Sequence, residues 1–406
     1  MKIGVIGAGA SGLLAAITAA KNGASVTLIE KKDRVGKKIL ATGNGKCNFT
    51  NHSMNYFDFR SQNPSIFSDY IGQFDKNDVI SMFQSMGMLV KEKNGYYYPR
   101  SEQASTVLDL LRLQVKALNI PVLTEHYPIS IQKKKKSFEI LLNNQNKLYF
   151  DRIILACGSF AGEKTRDDYT GYTYAKSLGH SLIPIVPALV QVRAKGKEFK
   201  SISGVRCDAN ISLYINNKLI TEEFGELQLT DYGISGIPVF QLSRYVSYGL
   251  YEKKQVTAKI DFLPEYDLKT WTSFVTDKWK NTSNKTATAE EFFQGFLNKK
   301  LNLMFLKLAG IKADTPLNQL KFSKIEQVIT HMKCWEIEIE GTNPYENAQV
   351  CAGGVSMDEI TLQMESKIVP GLYSAGELLD VDGRCGGYNL QWAWTSGYLA
   401  GKNASS

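Results

Sequence analysis

The residues best equipped for chemistry stand at the two ends of a 406-residue chain. Near the start, Gly7-Ala8-Gly9-Ala10-Ser11-Gly12 follows the apolar run Ile3-Gly4-Val5-Ile6, and an alanine-rich stretch then reads as a close-packed helix up to Asn22-Gly23. Gly7 permits a tight turn, Gly9 lets the backbone approach a pyrophosphate, and Gly12 lets helix and strand pack closely. Ala10, Ser11 and Gly12 open the helix, whose unpaired N–H groups and partial positive charge favour phosphate. A second strand over residues 25–29 ends at Glu30, where a carboxylate can accept hydrogen bonds from both hydroxyls of a ribose. Strand, glycines, helix, strand and terminal acid together describe a dinucleotide site. By themselves they do not choose between a nicotinamide and a flavin dinucleotide.

The next residues do not continue the strand–helix alternation of a nicotinamide dehydrogenase. Lys31 to Lys38 lead into Ala41-Thr42-Gly43-Asn44-Gly45-Lys46-Cys47-Asn48, small and hydrogen-bonding residues that suit a backbone wrapped around a polar ligand. A purely structural loop is the alternative. Lys31, Lys38, Thr42, Gly43, Asn44, Gly45, Cys47 and Asn48 are the binding candidates here. Residues 127–132, 138–143 and 147–150 read as a three-stranded meander starting at Tyr127 and Pro128. A strand then ends in Ala156-Cys157-Gly158, small residues where backbone can pass close to a ligand. At the far end, Gly371-Leu372-Tyr373-Ser374-Ala375-Gly376-Glu377 is a strand entering a small turn with an acid. It is followed by Asp380 and by Arg384-Cys385-Gly386-Gly387-Tyr388-Asn389-Leu390, which opens an apolar helix ending near Gly401. The paired glycines give room for a planar ring, and the positive helix end faces where charge collects when such a ring is reduced. Trp392 and Trp394 read as packing residues rather than stacking partners.

The loop over residues 38–48 and the tail over residues 371–394 closely resemble the HI0933-like family of bacterial flavoproteins, a branch of the glutathione-reductase-type FAD fold. The resemblance runs along the whole chain. It implies an α/β protein with a Rossmann-like FAD-binding domain in two parts, residues 1–187 and 345–406. A β-barrel-like domain (188–262 and 320–344) and a helical subdomain (263–319) are inserted, with substrate expected at the flavin ring where these domains meet. It also implies that Glu377 meets the ribityl or pyrophosphate region. Arg166, Tyr169, Cys385 and Tyr388 are candidate catalytic residues, each expected near the ring. The implied activity is hydride exchange between flavin N5 and a small organic substrate. The foremost version is reduction of a conjugated enone such as a 3-oxo-Δ4 steroid or bile acid, with NAD(P)H as donor. Oxidation of a small amine of the aminoacetone type, using O2 and releasing peroxide, is the alternative; a further dehydrogenase activity is a third. A reading of another class is flavin-dependent RNA modification or RNA binding. The chain departs from the family pattern at Arg166-Asp167-Asp168-Tyr169, where relatives carry small residues, and at Asp231, where many carry histidine.

Composition narrows the field. A hydrophobic fraction of 43% with 22% charged residues is that of a globular protein. The net charge of +8 is spread thinly, and the densest run, residues 133–136, reads as a solvated hairpin turn, so nucleic acid is not the expected partner. Six scattered cysteines without a C-x-x-C pair exclude a disulfide framework, a zinc ribbon and a dithiol redox centre. Four dispersed histidines give no metal-ligand spacing. With no second G-x-G-x-x-G, a dedicated nicotinamide domain is not expected. No signal peptide or membrane span is legible, which makes the cytoplasm the expected location; oligomeric state is not legible. In the middle, residues 189–193, 211–215 and 226–229 read as short strands, and helices dominate residues 268–331. Thr288 and Glu291 have capping-box spacing. Phe292, Phe293, Phe296, Leu297, Leu301, Met304, Phe305 and Leu308 form an apolar stripe read as core.

Overall fold

The computed structural model describes residues 1–62, 64, 67–164 and 168–406. They divide into two compact units, Met1–Val186 with Gln349–Ser406, and Pro187–Ala348.

The first unit grows from the predicted β1 (Lys2–Ile6), α1 (Ala10–Lys21) and β2 (Ser25–Glu30). With β3 (Val122–Thr124), β4 (Arg152–Leu155) and β5 (Leu372–Ser374) they form a parallel sheet in the order β5-β4-β1-β2-β3. Ile3, Val5, Leu28, Ile153, Ile154 and Leu155 are fully buried. Burial on both faces is why these strands are continuous apolar runs rather than alternating ones. The C-terminal helix α2 (Tyr388–Ala404) closes the unit by packing on α1. A Cβ at Gly397 would lie 2.4 Å from the Ser11 carbonyl oxygen, and one at Gly401 2.3 Å from that of Ala15. Glycine thus lets the first and last helices touch backbone to backbone, joining the two ends of the chain.

The meander forms as expected, from Pro128–Lys133, Phe138–Leu142 and Lys147–Phe150. Between β2 and β3 lie elements that the motifs do not announce. They include a helix over Lys76–Ser85 capped by Asp75, a helix over Ala104–Ala117, and a hairpin of Val90–Lys93 with Tyr96–Pro99. The short strand Thr50–Asn51 pairs with Tyr96–Pro99, bringing the glycine-rich loop beside a run of tyrosines.

The second unit holds a closed six-stranded barrel: Val192–Ala194, Gly233–Ser235, Lys218–Thr230, Arg206–Ile215, Val256–Asp261 and Trp335–Thr342. The helices Leu268–Asn281, Lys299–Leu308 and Phe322–Lys333 share one apolar core with it, Trp335 packing against Phe262 and Phe305. Thr288 and Glu291 form their capping box. The apolar stripe is split between Ala289–Phe293 and Lys299–Leu308; Phe293, Leu301 and Phe305 are fully buried while Leu308 is exposed. Among the described residues, no helix is long and apolar enough to cross a membrane.

Candidate cofactor and substrate site

The three glycines of the first turn do different work. Gly7 has φ +98°, and a Cβ there would sit 2.4 Å from the Ala156 carbonyl oxygen; one at Gly12 would sit 1.9 Å from that of Gly7. Both are demanded by packing. Gly9 is extended (φ −79°, ψ −164°), and a Cβ there would meet no atom of the described residues within 4 Å. It faces open space, as backbone approached by a ligand must. Helix α1 has no side-chain cap and no acid in its first turn, so the N–H groups of Ala10, Ser11 and Gly12 keep their donor capacity. Glu30 is held by both oxygens, one accepting the Ala8 N–H and the other the Lys32 N–H, each at 2.8 Å. A carboxylate oxygen has a second lone pair, so a fixed acceptor remains.

Across the turn, Gly158 (φ +72°) likewise has no atom of the described residues within 4 Å of its would-be Cβ. The Cys157 thiol donates to the Ile6 carbonyl at 3.3 Å; burial, aided by Glu30, pushes it up to about 12 and leaves it inert. The Lys31 ammonium lies 5.2 Å from the Tyr127 ring centre and 3.4 Å from the Tyr169 carbonyl oxygen, and the two tyrosine rings pack at 5.1 Å. Tyr169 is thereby grouped with the end of β2 that carries Glu30. Cys385 and Tyr388 gather at the other end of the site, with Tyr96 and Tyr98. Arg166 lies outside the described residues. Tyr127 and Pro128 are fixed by their main chain, the former donating to Asn143 at 3.2 Å and the latter accepting from the Tyr174 hydroxyl at 2.7 Å.

In the glycine-rich loop, Gly43, Asn44 and Gly45 have φ of 56°, 53° and 81°, a left-handed path that Gly and Asn adopt readily. Thr42 donates to the Ile39 carbonyl at 2.6 Å. Cys47 is buried, which pushes its thiol up to about 11. Glu102 ties this loop to the hairpin: Lys91, then Lys46 at 3.2 Å, hold its carboxyl down at about 2. The Asn48 side-chain oxygen is buried with no hydrogen-bond partner among the described residues. Such an orphan costs roughly 1–3 kcal/mol, a cost that a ligand donor would remove. Glu377 accepts from Lys38 at 2.6 Å and from the Ser159 hydroxyl at 2.7 Å.

The C-terminal segment seats itself on the N-terminal turn. A Cβ at Gly376 would lie 2.4 Å from the Ser11 hydroxyl oxygen, and the Gly376 N–H donates to Ser396 at 2.9 Å. Gly386 and Gly387 have φ of 127° and 94°, and α2 starts at Tyr388 without a side-chain cap. Asn389 spends its amide on the preceding turn, accepting the Gly383 N–H at 2.7 Å and donating to the Gly383 carbonyl at 2.9 Å. Leu390 is half-buried. The buried carboxylate of Asp380 accepts from Ser61 at 3.2 Å and from the Gln62 N–H at 3.0 Å. Trp392 and Trp394 are core residues, donating to the Gly376 and Phe49 carbonyls at 3.2 and 3.0 Å.

Two uncapped helix starts, three immobilised carboxylates, glycines that open on space and a buried acceptor lacking a donor fit a dinucleotide with a polar middle and two ring systems. A family model described as the HI0933-like protein Rossmann domain matches residues 1–403. The chain belongs to the HI0933-like family. It is 43% identical over 409 aligned residues to the 3-dehydro-bile acid delta(4,6)-reductase of Clostridium scindens, covering 100% of this chain and 99% of that one. It is 29% identical to the ribosomal RNA dihydrouridine synthase of Escherichia coli, over 98% of this chain and 96% of that protein. Among solved structures, a 3-ketosteroid-delta4-(5alpha)-dehydrogenase of Rhodococcus jostii shares the fold at TM-score 0.51 and 12% identity, covering 100% of this chain and 96% of that one. The fold is the Rossmann-like FAD-binding fold, and this member of the HI0933-like family is an FAD-dependent oxidoreductase.

In this HI0933-like chain the motifs left several site residues unannounced. Asn51 donates to the Gly386 carbonyl at 2.8 Å, Ser159 holds Glu377, and Tyr96 and Tyr98 stand beside Cys385 and Tyr388. The run Tyr96-Tyr97-Tyr98 was the available signal, since alternate residues of a strand share a face. Nothing in linear spacing ties it to Gly386.

Proposed function

We propose that the chain reduces a carbon–carbon double bond conjugated to a ketone, in a 3-oxo-Δ4 steroid or bile acid, drawing electrons from NAD(P)H through FAD. The observation that carries this reading is the end-to-end relationship to a bile-acid delta(4,6)-reductase at 43% identity. The N–H groups of Ala10, Ser11 and Gly12 would hold the pyrophosphate over Gly9, and Glu30 the adenosine ribose, with Lys31 and Tyr127 beside it. Asn48, Lys38 and Glu377 would line the ribityl side, and Gly386-Gly387 with the start of α2 would back the ring. When bound, FAD supplies the hydride. The chain orients the ring and, through the positive end of α2, favours the negative charge that reduction places on it. Anaerobic incubation with NADH or NADPH and a 3-oxo-Δ4 bile acid should give a product two hydrogens heavier by mass spectrometry. Unchanged steroid recovered from FAD-loaded protein would overturn the reading.

A second reading has its own support in the 29% relationship to a ribosomal RNA dihydrouridine synthase. Making dihydrouridine also saturates a double bond conjugated to a carbonyl, so the two activities ask for the same chemistry. RNA as substrate predicts retention on ribosomal RNA that falls steeply with salt. Formation of dihydrouridine in an rRNA fragment, with no steroid product, would decide for it.

A further inference from the structure

We propose that Tyr96 and Tyr388 form a two-phenol donor site for the ketone oxygen of the substrate; this rests on the enone reading above. The hairpin strand Tyr96–Pro99 pairs with Thr50–Asn51, Tyr96 opposite Asn51, and Asn51 in turn holds the Gly386 carbonyl at 2.8 Å. Tyr388 opens α2 from the other side. A Cβ built on Gly386 would lie 2.7 Å from Cε1 of Tyr96 and 3.4 Å from Cε2 of Tyr388. In each ring the ε-carbon adjoins the carbon that bears the hydroxyl. The hydroxyl-bearing edges of both rings therefore meet at Gly386, just ahead of α2.

What these hydroxyls do not do is equally informative. Four other tyrosines of the same unit are tied to main-chain carbonyls: Tyr70 to Thr361 at 3.1 Å, Tyr172 to Glu377 at 3.3 Å, Tyr174 to Pro128 at 2.7 Å and Tyr373 to Asn403 at 3.1 Å. Among the described residues, neither Tyr96 nor Tyr388 has a hydrogen-bond partner for its hydroxyl, and neither oxygen is sealed from solvent. Tyr388 is held in place instead by its ring, edge-on to Phe59 at 6.0 Å. Its ring is buried and its donor is unspent, which suits a ligand oxygen better than it suits packing.

The chemistry asks for such donors. Hydride arriving at the β-carbon of an enone pushes the π electron pair toward the carbonyl, and negative charge collects on the ketone oxygen. Two O–H groups aimed at that oxygen stabilise the enolate as it forms. A proton from water then reaches the α-carbon and restores the ketone, so the substrate gains one hydride and one proton while both phenols keep theirs. Burial, with Asp58 adding to it, pushes the Tyr388 hydroxyl up to about 12, which keeps it a donor.

The test uses FAD-loaded protein and a 3-oxo-Δ4 bile acid labelled with 13C at the ketone. Infrared difference spectra of the oxidised complex report hydrogen bonding to the carbonyl without turnover. The labelled band should move to lower frequency in the wild type. Tyr96→Phe and Tyr388→Phe should each lose part of that shift, and kcat should fall about 100-fold in each, with FAD content and melting temperature preserved. Wild-type band positions and kcat in both variants would overturn the donor pair while leaving the enone reading intact. If the wild type neither binds nor reduces the steroid, the enone reading falls and the donor pair falls with it.

Discussion

Gly9 and Gly12 belong to one motif, yet their surroundings separate a binding role from a packing role. A Cβ at Gly12 collides with the Gly7 carbonyl, whereas one at Gly9 meets none of the described residues within 4 Å. Gly9→Ala should therefore leave the melting temperature of the FAD-free protein unchanged to within about 0.5 kcal/mol of stability, and weaken FAD at least about tenfold, or about 1.4 kcal/mol. Fluorescence titration with FAD, paired with thermal melts, checks both halves; full affinity in Gly9→Ala would remove the pyrophosphate from this turn. A pH profile tests the tyrosine end. With the Tyr388 hydroxyl pushed up to about 12, the residual kcat of Tyr96→Phe, in which Tyr388 is the remaining donor of the pair, should show no downward limb at the ordinary phenol value of about 10. A limb there would point to a different, less buried donor. These residue-scale features were only partly legible in the sequence. The glycine spacing and Glu30 could be read because local chemistry dictates them. Tyr96 could not, because its neighbour Gly386 stands at the far end of the chain.

Among the elements, those with a strong local code were readable: β1, α1 and β2 from apolar runs and glycines, and the meander from alternation and polar turns. The hairpin around Tyr96 was not, since Val90-Lys91-Glu92-Lys93 is half-exposed and carries no apolar run. The apolar residues after Thr288 recur at helical spacing, but Gly295 at φ +92° and the Asn298 cap divide them between two helices. The contact of α1 with α2 was likewise invisible, because glycines inside a helix read as weak points. They are instead where the two backbones meet. Gly397→Val, whose Cβ would lie 2.4 Å from the Ser11 carbonyl, should destabilise the protein by about 3 kcal/mol. Urea unfolding measures this, and an unchanged midpoint would contradict the packing.

Over the whole molecule, the unit that carries the site is held together by links between its distant halves. One is a chain in which the buried His180 meets the half-buried Glu359 at 2.7 Å and Ser366 at 2.9 Å. It has the order of a nucleophilic triad, but Ser366 is buried and its oxygen accepts the N–H groups of Ile368 and Val369 at 3.0 and 2.8 Å. It is a strap, not a reactive centre. Burial alone would raise the Glu359 carboxyl, but hydrogen bonds from Ser181 and His180 outweigh it and hold the group below its ordinary range. That contribution is complete above the ordinary carboxyl value and is lost as pH falls through the lowered one. Glu359→Gln should cost about 1–3 kcal/mol at neutral pH and flatten the acid limb of stability. Melting curves recorded from neutral to acid pH check this, and an acid limb as steep as the wild type's would refute it.

The most direct measurement is a single turnover without oxygen. FAD-loaded protein is reduced with one equivalent of NADPH or by light until its yellow colour is lost, and then mixed with a 3-oxo-Δ4 bile acid. The colour should return at a rate that rises and then saturates with steroid concentration, yielding one saturated product per FAD. Protein that stays bleached with the steroid, yet regains its colour when uridine-containing ribosomal RNA is added, would contradict the steroid assignment.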